Sequence, residues 1–522
     1  LLDANIRVIP VLDKQNRLIS IVTKDYFPAL IEKKVFARAK SPVRISFGGG
    51  GSDTSSYFSE NKAAVINATI SLYSHSTLKI EINNKSILKM ALPISLAIFI
   101  PQLNFVINNI YLGHFDKDPS ALAIAGITGV YYLIFAAIGY GLNNGLQTLI
   151  ARRAGENKSK EIGKLFSQGV YIGLTLSLIG IIITYTVTPL LFSYIIQDQT
   201  TLQKAIIFLQ IRIWGLPFLF VYQLRNALLV GINKSKYLVA GTLAETASNV
   251  LLDYILIFGF ASIPAMGFNG AAIASIISEF IGLFVIYLVI NRKGITQQFS
   301  LFSAIKWDWS IQRSILLVAS PLMFQHAISI ISWQYFFLLI EHHGAMALKI
   351  SNVMRNIFGI FGCFCWAFAS TANSMASNII GQGRQNEVID LIKKILTISL
   401  SLAFFIVVVL NIFPGAFLSL FGQGDLFVKE GIPVLRVVST ALLLSSIATI
   451  FLSTVTASGN TRITFMIEAG AIVTYCAYIY IVLEHFHYSI VIGWISEWIY
   501  WLCLLIPSFL YLRSNKWRNK TI

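Results

Sequence analysis

From Ile87 to the end of the chain, apolar runs of about 20 residues follow one another. Each is long enough to cross ~30 Å of hydrocarbon as a helix. They fall near 88–112, 120–148, 165–188, 205–230, 237–260, 268–290, 313–339, 346–378, 391–413, 431–457, 463–483 and 489–512. That pattern predicts an all-α integral membrane protein with twelve transmembrane helices. Composition agrees: 56% of the 522 residues are hydrophobic and 12% charged, against about 45–50% and ~25% in soluble domains. A soluble chain of this length would need far more charge to cover several separate cores.

The charges are unevenly spread. Residues 1–86 hold 12 Lys+Arg and 7 Asp+Glu, out of 40 and 24 in the whole chain. In the apolar part, alternate loops separate by sign. Arg152, Arg153, Lys158, Lys160, Lys164, Lys234, Lys236, Arg292, Lys293, Arg384, Lys393, Lys394, Arg462 and the tail Arg513, Lys516, Arg518 and Lys520 fall in one set. The other set holds mainly Lys117. By the positive-inside rule, the protein is a multi-pass plasma (inner) membrane protein with both termini cytoplasmic. The net charge of +16 is then a topology signal and predicts no nucleic-acid partner, because no compact basic run interleaves with aromatics. Cys363, Cys365, Cys476 and Cys503 lie in apolar runs without a zinc-type pair and read as packing residues. The opening Leu1-Leu2 lacks an initiator Met and a signal pattern, so the start is expected to be internal to a longer reading frame.

The first 86 residues read as a short α/β-like leader in two pieces. IRVIPVLDKQNRLISIVTKDYF at 6–27 alternates as strand, polar turn at 13–17 and strand. It resembles the closing part of a CBS domain, placing a partial fragment at 1–36. ARAKSPVRISFGGGGSDTSSYFSENKAAVINATISLYSHSTLKI follows at 37–80. Through Arg38, Pro42, Arg44, Ser46, Gly48 to Gly51 and Asp53 it resembles the first strands of a GHMP-type heptose-phosphate kinase, a partial fragment at 37–86. Clustered glycines can cradle phosphate. The family's PxxGLGSS-like phosphate loop and the rest of the kinase are absent from the 522 residues, so a membrane-tethered sugar kinase is disfavoured and no enzyme activity is expected.

The apolar part repeats itself. ALPISL at 91–96 matches ASPLMF at 319–324, with Pro93 and Pro321 an offset of 228 apart. AGENKSKEI at 154–162 matches IGQGRQNEV at 380–388, with Gly155 and Gly381 an offset of 226 apart. ISEFI at 277–281 recurs as ISEWI at 495–499. Six helices per half is an even number, so the repeats are parallel. Two six-helix lobes, 87–300 and 301–522, would flank a central cleft.

Residues 87–522 resemble the MATE family of multidrug exporters. The motifs are ALPISL, LGHF at 112–115, GLQTLIARRAGENK at 145–158, LDYILIFG at 252–259, FNGAAIASIISEF at 268–280, IEHHGAMALKISNVMRN at 340–356 and ASTANSMASNIIGQG at 369–383. The resemblance implies secondary antiport of small, cationic organic compounds against H⁺ or Na⁺, with no further cofactor. A lipid-linked oligosaccharide flippase of the same superfamily is the alternative. Its groove should carry more Arg and Lys, and apart from Arg225 and Arg355 intramembrane cations look scarce. A small organic substrate and the lipid bilayer are the expected partners, and a monomer the expected state.

Carboxylates inside a bilayer are costly and mark function by default. Glu245 and Asp253 on the fifth span, Glu279 on the sixth, Glu468 on the eleventh and Glu497 on the twelfth stand there. The repeat relates Glu279 to Glu497, and Glu245 to Glu468. Glu245, Asn249 and Asp253 follow at i, i+4 and i+8 on one helix face. Such a line can relay protons or hold a cation, because a desolvated carboxylate can load and release a proton near neutral pH. Many members of the family place an Asp five residues before the Gly of the LGHF-like motif, where Asn108 stands here and cannot titrate; STVTASGNTR at 453–462 likewise has no acid. Tyr131, Tyr132, Gln325, Trp333 and Trp366 are candidate lining of a substrate cavity, where rings suit a lipophilic cation. His326 reads as a hydrogen-bonded packing residue, His114, His342, His343, His485 and His487 as surface residues without a metal, and Arg355 as paired with a carboxylate or a helix carbonyl end.

Overall fold

The computed structural model describes residues 8–12, 18–23, 43–48, 66–70, 79–115, 120–196, 198–302, 306–518 and 520. The chain divides into two compact units, Leu1–Ser76 and Thr77–Ile522. In the first, β1 (Val8–Leu12) pairs antiparallel with β2 (Leu18–Thr23), and β3 (Val43–Gly48) pairs antiparallel with β4 (Ile66–Ile70). The polar turn expected at 13–17 lies outside the described residues.

The second unit is helical. Its long helices are α1 (Asn84–Phe115), α2 (Ser120–Gly155), α3 (Ser159–Thr186), α4 (Gln199–Gly231), α5 (Leu238–Phe258), α6 (Gly267–Arg292), α7 (Trp309–Glu341), α8 (Ala345–Gly381), α9 (Val388–Ile412), α10 (Asp425–Ala457), α11 (Thr461–Ile479) and α12 (Ile490–Arg513). Among the described residues, eleven of these stretches are long and apolar enough to cross a membrane. The exception is α5, whose length suffices but whose Glu245, Asn249 and Asp253 dilute its hydropathy. In lipid every backbone group must be satisfied within the segment, which helices do and open strands do not.

Packing partners repeat across the two halves. In the first, α5 packs on α6 and α1, and α4 on α2 and α3; in the second, α11 packs on α12 and α7, and α10 on α8 and α9. Contacts between the halves run through α2 against α7 and α8, and α1 against α8. Glycines set that seam, because small residues let helix backbones approach where no hydrophobic drive exists between them. A Cβ on Gly141 would lie 2.5 Å from the Met323 backbone, and one on Gly145 2.7 Å from that of Ala319.

Hydrogen bonds follow the same seam. Gln147 Nε2 donates to the Ser370 carbonyl at 2.9 Å, and Asn373 Nδ2 to the Asn144 carbonyl at 3.4 Å. Those are one contact seen twice, since both pairs are related by the offset of 226. Thr148 donates to Asn373 at 2.8 Å, and Ser377 to the Thr148 carbonyl at 2.7 Å. Arg152 is buried and donates to the Ala457 carbonyl at the end of α10, 3.0 Å away. It is therefore a helix cap across the halves rather than the solvated loop charge expected from the sequence.

Candidate functional site

Helix α4 is broken where the first acid cluster forms. Pro217 lacks an N–H and cannot donate to the Ile213 carbonyl, and the ladder tightens into a 3₁₀ turn at Ile213–Gly215. Arg212 stands immediately before that turn. Its Nη2 lies 2.5 Å from Glu279 Oε1 on α6, and its Nη1 lies 3.2 Å from Glu279 Oε2 and 2.9 Å from Tyr132 Oη. The guanidinium also sits 3.9 Å from the Tyr132 ring centroid. Gly215 makes room: a Cβ there would meet Arg212 Nη1 and Glu279 Oε2, each at 2.3 Å. Sequence reasoning, which names Arg225 and Arg355 as cations inside the spans, does not find Arg212; it follows the apolar stretch 205–211 within the helix and belongs to no motif.

Glu245 lies beside this pair without joining it. Its Oε2 is buried with no hydrogen-bond partner among the described residues. Arg212, Arg225, Tyr222 and Glu279 all act on it electrostatically or by hydrogen bonding. Arg225 is fully buried over the Tyr222 ring, 3.9 Å from its centroid, and donates to Asn226 at 2.6 Å. Gly241 and Gly282 bring α5 this close: a Cβ on Gly282 would lie 2.8 Å from Glu245 Cβ, and one on Gly241 2.7 Å from Arg225 Nη1.

The predicted line on α5 divides between neighbours. Glu245 turns to α4 and α6, while Asn249 accepts from Asn104 on α1 at 2.7 Å. Asp253 is buried further along the same helix. The side chain of Asn108 lies outside the described residues. Tyr131, next to Tyr132, hydrogen-bonds Thr184 and Thr188 at 2.9 and 2.6 Å.

The second cluster has the repeat-related acids and different partners. Glu468 on α11 accepts from Ser329 on α7 at 2.5 Å and from Tyr500 on α12, with Gln325 Nε2 at 3.5 Å. Glu497 accepts from the Trp501 indole at 3.1 Å, with Trp333 beside the same carboxylate. Every one of these donors is neutral. Trp366 packs on Phe358 with centroids 6.5 Å apart. The predicted cavity residues thus form two groups, Tyr131 and Tyr132 in the first half and Gln325, Trp333 and Trp366 in the second.

The other predicted residues fall outside both clusters. His326 hydrogen-bonds Asn144 at 3.0 Å and packs on Tyr140 in the α2–α7 seam, as a packing histidine should. Arg355 stands over the Phe337 ring at 5.1 Å, so among the described residues its partner is a π face rather than the expected carboxylate or carbonyl. His342 pairs with Glu484 at 2.9 Å, and His343 meets the Leu483 carbonyl at 3.0 Å. Among the described residues no three His, Cys, Asp or Glu could hold a metal ion.

A profile of the MatE family matches residues 93–255 and again residues 321–481, and the chain belongs to that family. A probable multidrug resistance protein NorM from Synechocystis is 27% identical over 222 residues, 42% of this chain and 47% of that protein. The namesake from Thermotoga maritima is 20% identical over 84% of this chain and 94% of its own length. The chain thus spans about half the length of the first of these relatives and nearly all of the second. A solved structure of a MOP superfamily transporter from Pyrococcus furiosus aligns with a TM-score of 0.76 at 16% identity, over 85% of this chain and 98% of that one. At that identity the likeness is one of fold.

Proposed function

We propose that the chain is a secondary active antiporter that exports small, cationic organic compounds in exchange for H⁺ or Na⁺. It acts as a monomer with twelve spans in two parallel six-helix lobes, both termini cytoplasmic. The repeat reading is supported by the family profile matching twice, from Pro93 and from Pro321, and by helix partners that recur in both halves. The NorM relatives are probable multidrug resistance proteins, and that substrate class is carried over to this chain.

The observation that carries the reading is Glu468, buried in the span with hydroxyl and amide donors only among the described residues. A carboxylate there gains no ionic compensation, so binding a proton or Na⁺ removes a charge that lipid disfavours. Release of the ion restores the charge and favours a rearranged neighbourhood, which is the coupling an antiporter needs. Glu245 is its repeat-related counterpart, with one carboxylate oxygen left without a hydrogen-bond partner among the described residues, beside two arginines. Around these two, Glu279, Glu497, Asn249, Asp253 and Asn108 complete the proposed coupling set, and Tyr131, Tyr132, Gln325, Trp333 and Trp366 the cavity lining.

The flippase alternative needs free cations for a pyrophosphate. Arg212 is engaged by Glu279, Arg225 is buried over Tyr222 and bonded to Asn226, and Arg355 stands apart over Phe337, so no cluster of cations forms among the described residues of the spans, which favours the exporter. The resemblances of the leader to CBS and kinase fragments add no activity to it. In everted vesicles, Glu245→Gln should abolish ion-driven efflux of an organic dye, and full activity would remove Glu245 from the mechanism. Collapsing the proton gradient while keeping a Na⁺ gradient should stop export if H⁺ drives it; continued export assigns Na⁺.

A further inference from the structure

Where the segment joining the two halves meets α3, the surface holds a pocket of about 300 Å³ lined by Lys164, Gln168, Lys306, Trp307, Asp308 and Trp309, with Ile311 at its edge. Its floor is built rather than accidental. Gln168, buried on α3, donates to the Lys306 carbonyl at 2.8 Å and accepts from Asp308 N at 3.2 Å and Gln312 Nε2 at 2.9 Å. Asp308 is occupied as the cap of α7, accepting from Ser310 N and Ile311 N at 3.1 and 3.2 Å. With that carboxylate engaged, Lys164 and Lys306 face the pocket without an ion pair among the described residues. Trp307 and Trp309 are 59% and 61% exposed at its rim.

We infer that this pocket binds the headgroup of an anionic phospholipid. Two lysines give the charge for a phosphodiester, and polar pockets of Lys between membrane helices on the basic side attract anionic headgroups. The two indoles mark the depth of the membrane interface, where Trp is favoured. Further along the two helices that bear the pocket, Leu317 and Phe324 on α7 and Leu174 and Leu178 on α3 are exposed apolar side chains suited to acyl chains. A free phosphate would need the lysines but neither the indoles nor that apolar continuation. The repeat does not explain the chemistry. At the related place of the second half, 226 residues on from Lys164, stands Asp390, and 228 residues before Trp309 stands Glu81.

The test uses the whole chain in detergent, with lipid retention read by native mass spectrometry. Phosphatidylglycerol should be retained over phosphatidylcholine. The charge-reversed Lys164→Glu/Lys306→Glu should lose that preference by about tenfold or more, at ~1 kcal/mol per lysine. The milder Lys164→Gln/Lys306→Gln should lose part of it while keeping the melting temperature in phosphatidylcholine. Trp307→Ala/Trp309→Ala should weaken retention of both lipids. Unchanged preference in both lysine variants would overturn the proposal. So would glycerol 3-phosphate displacing phosphatidylglycerol at equal concentration, which would make the site one for a soluble anion.

Discussion

Gly155 and Gly381 are reciprocal contacts: a Cβ on Gly155 would lie 2.0 Å from the Asn378 carbonyl oxygen, and one on Gly381 2.3 Å from that of Arg152. Arg152 and Asn378 are themselves related by the offset of 226 that relates the two glycines. The ends of α2 and α8 therefore meet as two subunits of a symmetric dimer would, each offering the same patch to the other. Within one chain, that geometry closes the basic end of the seam between the halves.

Replacing either glycine should force the two backbones apart. Gly155→Ala and Gly381→Ala are each expected to cost roughly 1–3 kcal/mol, the range for overpacking a tight contact. Melting temperatures in detergent measure it. The two losses should be similar, and a neutral result at one position with a large one at the other would contradict the reciprocal contact.

The Arg212–Glu279 pair should behave as a buried unit. Arg212→Ala strands a carboxylate and should cost roughly 3–5 kcal/mol, while Arg212→Ala/Glu279→Gln should recover much of that loss. A double-mutant cycle on thermal stability gives the coupling directly. Gly215→Ala, which crowds both partners, should imitate Arg212→Ala.

Glu468 should respond in the opposite way. Glu468→Gln keeps an oxygen for Ser329 and Tyr500, so the stability change should stay within about 1 kcal/mol. Ion-driven dye export should nevertheless disappear, because the amide cannot titrate. A variant that melts normally and still exports would exclude Glu468 from coupling.

One pH effect is predicted outside the spans. Arg384 donates to both oxygens of Glu387, 2.7 Å at Oε1, and these hydrogen bonds hold the Glu387 carboxyl below the usual glutamate range. The folded value lies below the unfolded one, so the contribution is complete above the ordinary range of about 4.3. It is lost as pH falls through the depressed value. The pair is half exposed and worth no more than about 1 kcal/mol. Arg384→Ala should lower the melting temperature slightly at neutral pH, and the difference from the unchanged protein should vanish in acid.

The span pattern was legible in the sequence because the bilayer imposes one length on every crossing helix, and the apolar runs report that length directly. The acids were legible for the same reason, standing out against an apolar background. Arg212 was not, because its meaning comes from Glu279, distant along the chain. Arg152 looked like a loop charge because proximity to Ala457 has no local signature. The line of Glu245, Asn249 and Asp253 was read correctly as one helix face, but its division between α6 and α1 depends on which helices pack there.

The sequence by itself determined that this chain is a helical membrane protein with self-similar stretches and a few costly acids, since hydropathy, self-similarity and charge are properties of residues in order. Only the tertiary structure decided which acids are neutralised by arginine and which face neutral donors alone. Glu279 and Glu497 occupy matching places in the repeat, yet one meets Arg212 and the other meets Trp501. Symmetry of position is written along the chain, whereas electrostatic partners are fixed by the packing of helices that are far apart in it.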